Sequence, residues 1–120
     1  MTRINVGYPV KKLTDKHLLA EHREIKRIPN MIKSGKAKIE NIPEKFCLGK
    51  GHVKFFYNKL GYLGKRYTDI YCECLKRGFK VTWYGDAWGS EIPVALCGDY
   101  KPTKQDKQLI IDRINSRLNK

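Results

Sequence analysis

The sequence predicts an all-α fold, a compact single domain of three main helices with long irregular connections. The 120 residues are the length of one domain, which we expect to span 1–120. Apolar residues recur at helical steps in three segments, and stretches broken by glycine and proline, 29–50 and 79–102, separate them. Hydrophobic residues make up 41% of the chain, which is enough to close a core and excludes a disordered basic tail.

The first helix is predicted over 14–27. Thr14 or Asp15 can cap its beginning, and Pro29 is expected to end it. One face carries leucine and isoleucine, and a second face carries residues spaced by four and three positions. That second face presents one histidine and two carboxylates: His17, Glu21 and Glu24.

The second helix is predicted over 51–77, at a length of about 40 Å. Gly78 stands where a glycine commonly ends a helix, and Gly61 and Gly64 are expected to bend the helix or to admit a close neighbour. The apolar stripe has steps of three and four: Val53, Phe56, Leu60, Leu63, Tyr67, Ile70 and Cys74.

The third helix is predicted from Thr103, a good cap, to the end of the chain. Arg113 and Arg117 lie one turn apart beside its stripe. The stripe consists of Leu109, Ile110, Ile114 and Leu118. Between the helices, 29–50 predicts a short helix and a loop, and 79–102 predicts irregular structure.

The formal net charge of +13 predicts a polyanionic partner, nucleic acid first and an anionic membrane second. No window approaches 18 unbroken apolar residues, so no membrane span is expected. The first residues show no apolar signal-peptide region, so we expect a cytoplasmic protein. No exposed heptad seam remains, which favours a monomer.

The four cysteines are expected to be reduced and mostly buried. Cys72 and Cys74 are two residues apart in a helical stretch, and no Cys-x-x-Cys or His-x-x-x-His pair offers zinc spacing. A zinc site remains a minor alternative. The other two cysteines are Cys47 and Cys97.

The N-terminus offers a candidate nucleophile. Thr2 follows Met1, and so small a residue permits removal of the initiator methionine. The exposed α-amine would have a pKa of about 7.7–8.0 against about 10.4 for lysine, so far more of it is the free base near neutral pH. Such an amine can form a Schiff base, although most chains that begin this way are simply processed.

The segment His17–Arg27 offers a candidate carboxylate, because Glu24 stands between Arg23 and Arg27. The common interpretation of such a run is a solvated helix face with ion pairs. The functional interpretation is a carboxylate held among cations, which stabilises positive charge on a sugar or moves a proton.

Several motifs in the same order resemble the phage-type pyrimidine-dimer DNA glycosylases, the T-even phage endonuclease five family. The likeness covers nearly the whole chain, with small length changes at 6–12 and 30–45. The motifs are Thr2-Arg3-Ile4-Asn5, the segment His17–Arg27, the segment Phe46–Leu60, Lys65-Arg66, the segment Glu73–Phe79, Ile92-Pro93 and the segment Gly98–Pro102.

The resemblance implies a site and a fold. The nucleophilic threonine amine falls on Thr2 and the essential glutamate on Glu24. The implied fold is one all-α domain with the N-terminus packed between helices. The implied DNA-binding residues are Arg3, His17, Arg23, Arg27, Arg113 and Arg117.

The chain departs from this family at its C-terminal end. The phage enzyme continues into a tail rich in Trp, Tyr and Lys, and this sequence stops at Lys120. Trp83, Tyr84 and Trp88 are candidate substitutes that stack on or wedge into DNA. Ordinary burial under the long loop is the equally supported interpretation of these aromatic residues.

The function expected from these features is removal of a damaged pyrimidine, foremost an ultraviolet pyrimidine dimer, followed by strand cleavage at the abasic site. The partner is double-stranded damaged DNA in a bacterial cell or phage-infected host. The chemistry requires no metal or organic cofactor. Two alternatives stay open: the same chemistry on another damaged or modified base, and a catalytically silent basic DNA-binding protein.

Overall fold

The computed structural model describes residues 2–118, of which Leu118 is described in its backbone only. Within this range the chain forms helices and irregular connections, with no strand beyond one isolated bridge between Lys59 and Cys97. The all-α fold with three main helices and long connections is thereby confirmed. The α-helices are α1 (Asp15–Ile25), α2 (Arg27–Lys33), α3 (His52–Phe55), α4 (Leu60–Lys76) and α5 (Lys104–Leu118).

The first helix begins where predicted and ends earlier. The Thr14 hydroxyl accepts the backbone N–H of His17 and so caps α1. Lys26 ends α1 and begins α2, so the expectation that Pro29 ends the first helix is wrong. Pro29 lies in the first turn of α2, where its missing N–H leaves no helical hydrogen bond unmade.

The predicted second helix is divided, because α3 and a 3₁₀ turn precede α4 and the break falls at Lys59. At this point the segment 97–98 packs against the chain: the Tyr62 N–H donates to the Gly98 carbonyl at 3.1 Å. A Cβ on Gly61 would lie 2.6 Å from the carbonyl oxygen of Cys97. Gly61 therefore admits a close neighbour, as expected, and that neighbour interrupts the helix.

The ends of the other helices follow the predicted signals. Gly78 has φ +85° and follows the last turn of α4, where the Phe79 N–H donates to the Cys74 carbonyl. Thr103 caps α5 by accepting the backbone N–H of Asp106, whose carboxylate accepts the Thr103 N–H in return.

The stripe of α5 is only partly buried. Ile110 and Ile114 enter the core, whereas Leu109 is 41% exposed, and the side chain of Leu118 lies outside the described part of the chain. The stripe is therefore narrower than predicted. Among its basic residues, Lys104, Lys107 and Arg117 are exposed.

The N-terminal segment passes through the middle of the molecule. Ile4, Asn5 and Val6 are all buried. The Ile4 N–H donates to Nε2 of His52 at 3.0 Å, and α1 and α5 flank the segment through hydrogen bonds to Asn5. The expected packing of the N-terminus between helices is confirmed.

The cysteines are free thiols, but the expectation that most are buried is wrong. Cys74 alone is buried; Cys47 is partly exposed, and Cys72 and Cys97 are exposed. Cys72 precedes Cys74 by two helical positions, which turns it to the opposite side of α4.

No helix within residues 2–118 is long and apolar enough to cross a membrane.

Candidate active-site cleft

A cleft of about 840 Å³ opens between the N-terminal segment, α1 and α5. It brings together five residues that the sequence nominated, with further polar and small apolar neighbours. The lining residues are Arg3, Asn5, Thr14, Lys16, His17, Ala20, Glu21, Glu24, Arg113, Ile114 and Arg117. The face of α1 predicted to carry His17, Glu21 and Glu24 therefore forms one wall of the cleft.

The inner wall is built around a buried ion pair. Arg66, from α4, donates from Nε and Nη2 to the two carboxylate oxygens of Glu21. Its Nη1 also donates to the Tyr8 carbonyl at 3.1 Å. Burial alone would lower the pKa of Arg66, but the adjacent carboxylate outweighs that effect and the pKa is raised. Glu21 is consequently satisfied by a permanent cation and serves as a structural anchor.

Asn5 extends this network to α5. Its amide Nδ2 donates to Glu21 Oε1 at 2.7 Å, and its Oδ1 accepts from Arg113 Nη2 at 2.8 Å. Burial lowers the pKa of the Arg113 guanidinium, and the two cleft carboxylates oppose that shift. Arginine titrates far above neutral pH, so Arg113 remains a cation in the cleft.

Glu24 lies at the rim of the cleft, under the start of the chain. Its Oε1 accepts the backbone N–H of Arg3 at 2.9 Å, and its Oε2 lies 3.9 Å from Arg23 Nη2. Burial raises the pKa of the Glu24 carboxyl, while the positive charge of Arg27 opposes the rise. A partly desolvated carboxylate with nearby cations is suited to stabilise a cation that develops beside it.

His17 lines the cleft beside the beginning of α1. Burial, together with the charges of Lys16 and Arg113, lowers its pKa. The Thr14 hydroxyl accepts the His17 backbone N–H and lies 2.7 Å from Nδ1 of its ring. The imidazole is therefore held against the cap of the helix.

The N-terminal segment is held by three successive attachments. Arg3 binds Glu24 through its backbone N–H, Ile4 binds His52, and Asn5 binds Glu21 through its side chain. His52 Nδ1 donates to the Cys47 carbonyl, which leaves Nε2 as the acceptor for Ile4, and burial lowers the pKa of this histidine. The backbone that follows Thr2 is therefore held in a defined position beside the cleft.

The predicted site residues fall into two sets. Thr2 is half-buried and immediately precedes Arg3, whereas Arg23 and Arg27 are exposed and flank Glu24 outside the lining. The predicted residues that do line the cleft are Arg3, His17, Glu24, Arg113 and Arg117.

Sequence reasoning missed Asn5, Lys16 and Arg66 as members of the site. A signal for Arg66 was available, because it lies three residues after Leu63 and four before Ile70 in the apolar stripe of its helix. A cation in a buried stripe requires an anionic partner. No comparable signal marked Asn5, whose burial results from contacts with distant segments.

The aromatic residues considered as stacking groups lie outside the cleft lining. Tyr84 packs on His22 at 5.0 Å between ring centres, and Trp88 stacks on Tyr67 at 5.0 Å. Trp83 is 46% exposed and meets Tyr71 edge to face. They form one aromatic cluster on the other side of α1, which agrees with burial for Tyr84 and Trp88.

A comparison with known protein families assigns the chain to one of them. Residues 1–83 match the family model described as pyrimidine dimer DNA glycosylase. The chain belongs to the pyrimidine dimer DNA glycosylase family. It is therefore a DNA repair enzyme of the glycosylase class, with DNA as its substrate.

The family match places the cleft in context. It includes both nominated catalytic positions, Thr2 and Glu24, and the buried pair of the inner wall. It ends before α5, so Arg113 and Arg117 complete the cleft from outside the matched region. Among residues 2–118, no group of three His, Cys, Asp or Glu side chains has the arrangement of a metal site.

Proposed function

We propose that the protein is a bifunctional glycosylase and AP lyase that excises a damaged pyrimidine, foremost the ultraviolet pyrimidine dimer, through the α-amine of Thr2. The observation that supports it most is the hydrogen bond from the Arg3 backbone N–H to Glu24, at 2.9 Å. Adjacent Cα atoms are about 3.8 Å apart, so this bond brings the residue that carries the amine next to a carboxylate.

DNA binding is assigned to the basic residues around the cleft. Its lining contains four cations, Arg3, Lys16, Arg113 and Arg117, whereas one of its two carboxylates, Glu21, is already compensated by Arg66. The excess positive charge suits a phosphate backbone. Arg23 and Arg27 extend the charge beyond the lining, and the His17 ring adds a polar contact for the DNA within it.

The first chemical step replaces the base by the amine. The target nucleotide leaves the stack, so that C1′ of its sugar can enter the cleft. The free-base amine of Thr2 attacks C1′, the glycosidic bond breaks, and the bonding electrons leave with the base, which takes up a proton. Glu24, ionised beside the developing cation, stabilises the sugar and assists the proton transfers.

The second step cleaves the strand. Loss of an amine proton and opening of the sugar ring convert the adduct into an imine between the Thr2 nitrogen and C1′. The iminium acidifies C2′, a proton leaves that carbon, and the bond from C3′ to the phosphate oxygen breaks with departure of the 3′ strand. Water then hydrolyses the imine and regenerates the amine.

Borohydride trapping on a panel of damaged duplexes tests this proposal. The processed chain, which begins at Thr2, is expected to become covalently linked to dimer-containing and abasic DNA. Thr2→Ser keeps the amine and should retain most of the activity, whereas one extra residue ahead of Thr2 should abolish trapping.

The same panel separates the alternatives. If the protein is trapped on abasic DNA and on a duplex with another damaged base, but not on dimer-containing DNA, that other base is the substrate. Lyase activity in a chain with an acetylated N-terminus would overturn the assignment of the nucleophile. Binding without trapping on any duplex would indicate a silent DNA-binding protein.

A further inference from the structure

Asn5 lies between two groups of opposite charge. It is 5% exposed; its Nδ2 donates to Glu21 and its Oδ1 accepts from Arg113. A carboxylate only accepts and a guanidinium only donates, so a single orientation of the amide satisfies both partners. Asn5 thus connects the anionic inner wall to the cation contributed by α5.

The backbone next to Asn5 carries the proposed nucleophile. Arg3 and Ile4 are fixed by N–H bonds to Glu24 and His52. The position of the amide at residue 5 therefore bears directly on the position of the α-amine three residues earlier.

Arg113 is the partner of Asn5 on the side of α5, opposite Glu21. It is half-buried in the cleft lining, and one of its five N–H groups is engaged by Asn5 at 2.8 Å. A phosphate that binds Arg113 therefore contacts a side chain that is hydrogen-bonded to Asn5 in the N-terminal segment. The two residues are separated by 108 positions in the chain, so the connection exists only in the folded protein.

We propose that Asn5 is a positioning residue that couples phosphate binding at Arg113 to placement of the Thr2 amine. The inference rests on the proposed function, since it is the lyase reaction that gives this amine its role. In the complex, Arg113 docked on phosphate holds Asn5, and Asn5 holds the segment 2–5 in the orientation required for attack on C1′.

The fold does not depend on Asn5 alone. Glu21 keeps its two bonds from Arg66 when the amide is removed. Arg113 borders the open cleft, where water can replace Oδ1. Removal of the Asn5 amide is therefore expected to affect placement of the amine more than stability.

The first experiment separates positioning from binding. Asn5→Leu should slow single-turnover base release by about a hundredfold, the order of effect expected from a misplacement of about 1 Å. It removes no charge, so the salt dependence of duplex binding should not change, whereas Arg113→Met should reduce that slope by about one. Asn115→Ala, an exposed asparagine of α5 outside the lining, is the matched control.

Combining the two substitutions tests the coupling. If Asn5 acts with Arg113, the double variant should release base no more slowly than the slower single variant. Multiplied losses would show that the two residues act independently. A loss confined to the midpoint of thermal unfolding, with an unchanged single-turnover rate, would show a purely structural role, and either result overturns the proposal.

The second experiment does not require chemistry. Binding of an undamaged duplex should slow hydrogen exchange at the amides of Arg3 and Ile4 in the full chain, and Asn5→Leu should abolish that slowing. Equal slowing in both proteins overturns the coupling. A protein that shows the coupled exchange but no borohydride trapping would retain this inference and lose the proposed reaction, so the two failures are distinguishable.

Discussion

The inner wall and the rim of the cleft each contain a glutamate of α1. Glu21 and Glu24 lie three positions apart on this helix, yet they differ in burial and in hydrogen-bond partners. Glu21 is fully buried and accepts from Nε and Nη2 of Arg66. Glu24 is 14% exposed in its side chain, accepts one backbone N–H and lies 3.9 Å from Nη2 of Arg23.

The difference explains why we propose a structural role for Glu21 and a chemical role for Glu24. A carboxylate with its oxygens occupied by a buried guanidinium has little capacity left for a reacting group. Glu24 lies beside the proposed nucleophile, where burial raises its pKa and the positive charge of Arg27 opposes the rise. Pairs of carboxylates in distinct environments commonly divide their roles in this way.

The largest effect is expected from breaking the inner wall. Arg66→Met leaves the Glu21 charge buried without its cation, which should lower the free energy of unfolding by about 3–5 kcal/mol. Urea unfolding measures the loss. The double variant Glu21→Leu/Arg66→Met removes both charges and should recover much of the stability. A single variant with wild-type stability would show that the pair is not an anchor.

At the rim, Glu24→Gln should leave stability nearly unchanged and reduce base release by about 10²–10³-fold, the usual loss of one preorganised electrostatic group. Duplex binding should be at least as tight, because a negative charge beside the phosphates is removed. Single-turnover assays of glycosidic-bond cleavage measure the effect, scored as abasic sites, because a pyrimidine cut from its sugar within a dimer stays joined to its neighbour. Retained turnover would show that Glu24 is not the catalytic carboxylate.

Arg117 provides a smaller effect on binding. It is exposed, lines the cleft and is expected to contact phosphate without reading bases. Arg117→Ala should weaken binding to damaged and undamaged duplexes alike, and it should reduce the slope of log binding constant against log salt concentration by about one. Lys76→Ala, on α4 away from the cleft lining, is the control. A loss confined to damaged DNA with an unchanged slope would contradict the assignment.

The pH profile provides the finest distinction between the two glutamates. The proposed role of Glu24 requires its ionised form, and its folded pKa lies above the ordinary value of 4.5. The proposed attack also requires the free-base amine of Thr2, so activity should begin to fall below the pKa of that amine. The fall should steepen below the raised pKa of Glu24, at a higher pH than an ordinary glutamate would give. The rate profile on a prebound duplex measures this steepening. Glu24→Gln should lose it, and its persistence in that variant would assign it to another group.

Local signals in the sequence were sufficient for much of the fold. The steps of three and four located α1, α4 and α5, and Thr14, Gly78 and Thr103 marked helix ends because caps act within one turn. The same spacing correctly placed His17, Glu21 and Glu24 on one face. The roles of Thr2 and Glu24 came from motif resemblance and remain predictions.

Contacts between distant segments decided the remainder. Apolar spacing predicted one helix over 51–77 with a bend or a close neighbour at Gly61, but it did not show that the carbonyl of Cys97 packs there and that the helix is divided. Helical spacing alone made Glu21 and Glu24 equivalent acidic residues on one face. Arg66, 45 positions from Glu21, binds that glutamate and not Glu24 at the rim. Periodicity reports which residues share a face, whereas the charge, burial and partners that give a side chain its function are set by the segments that fold against it.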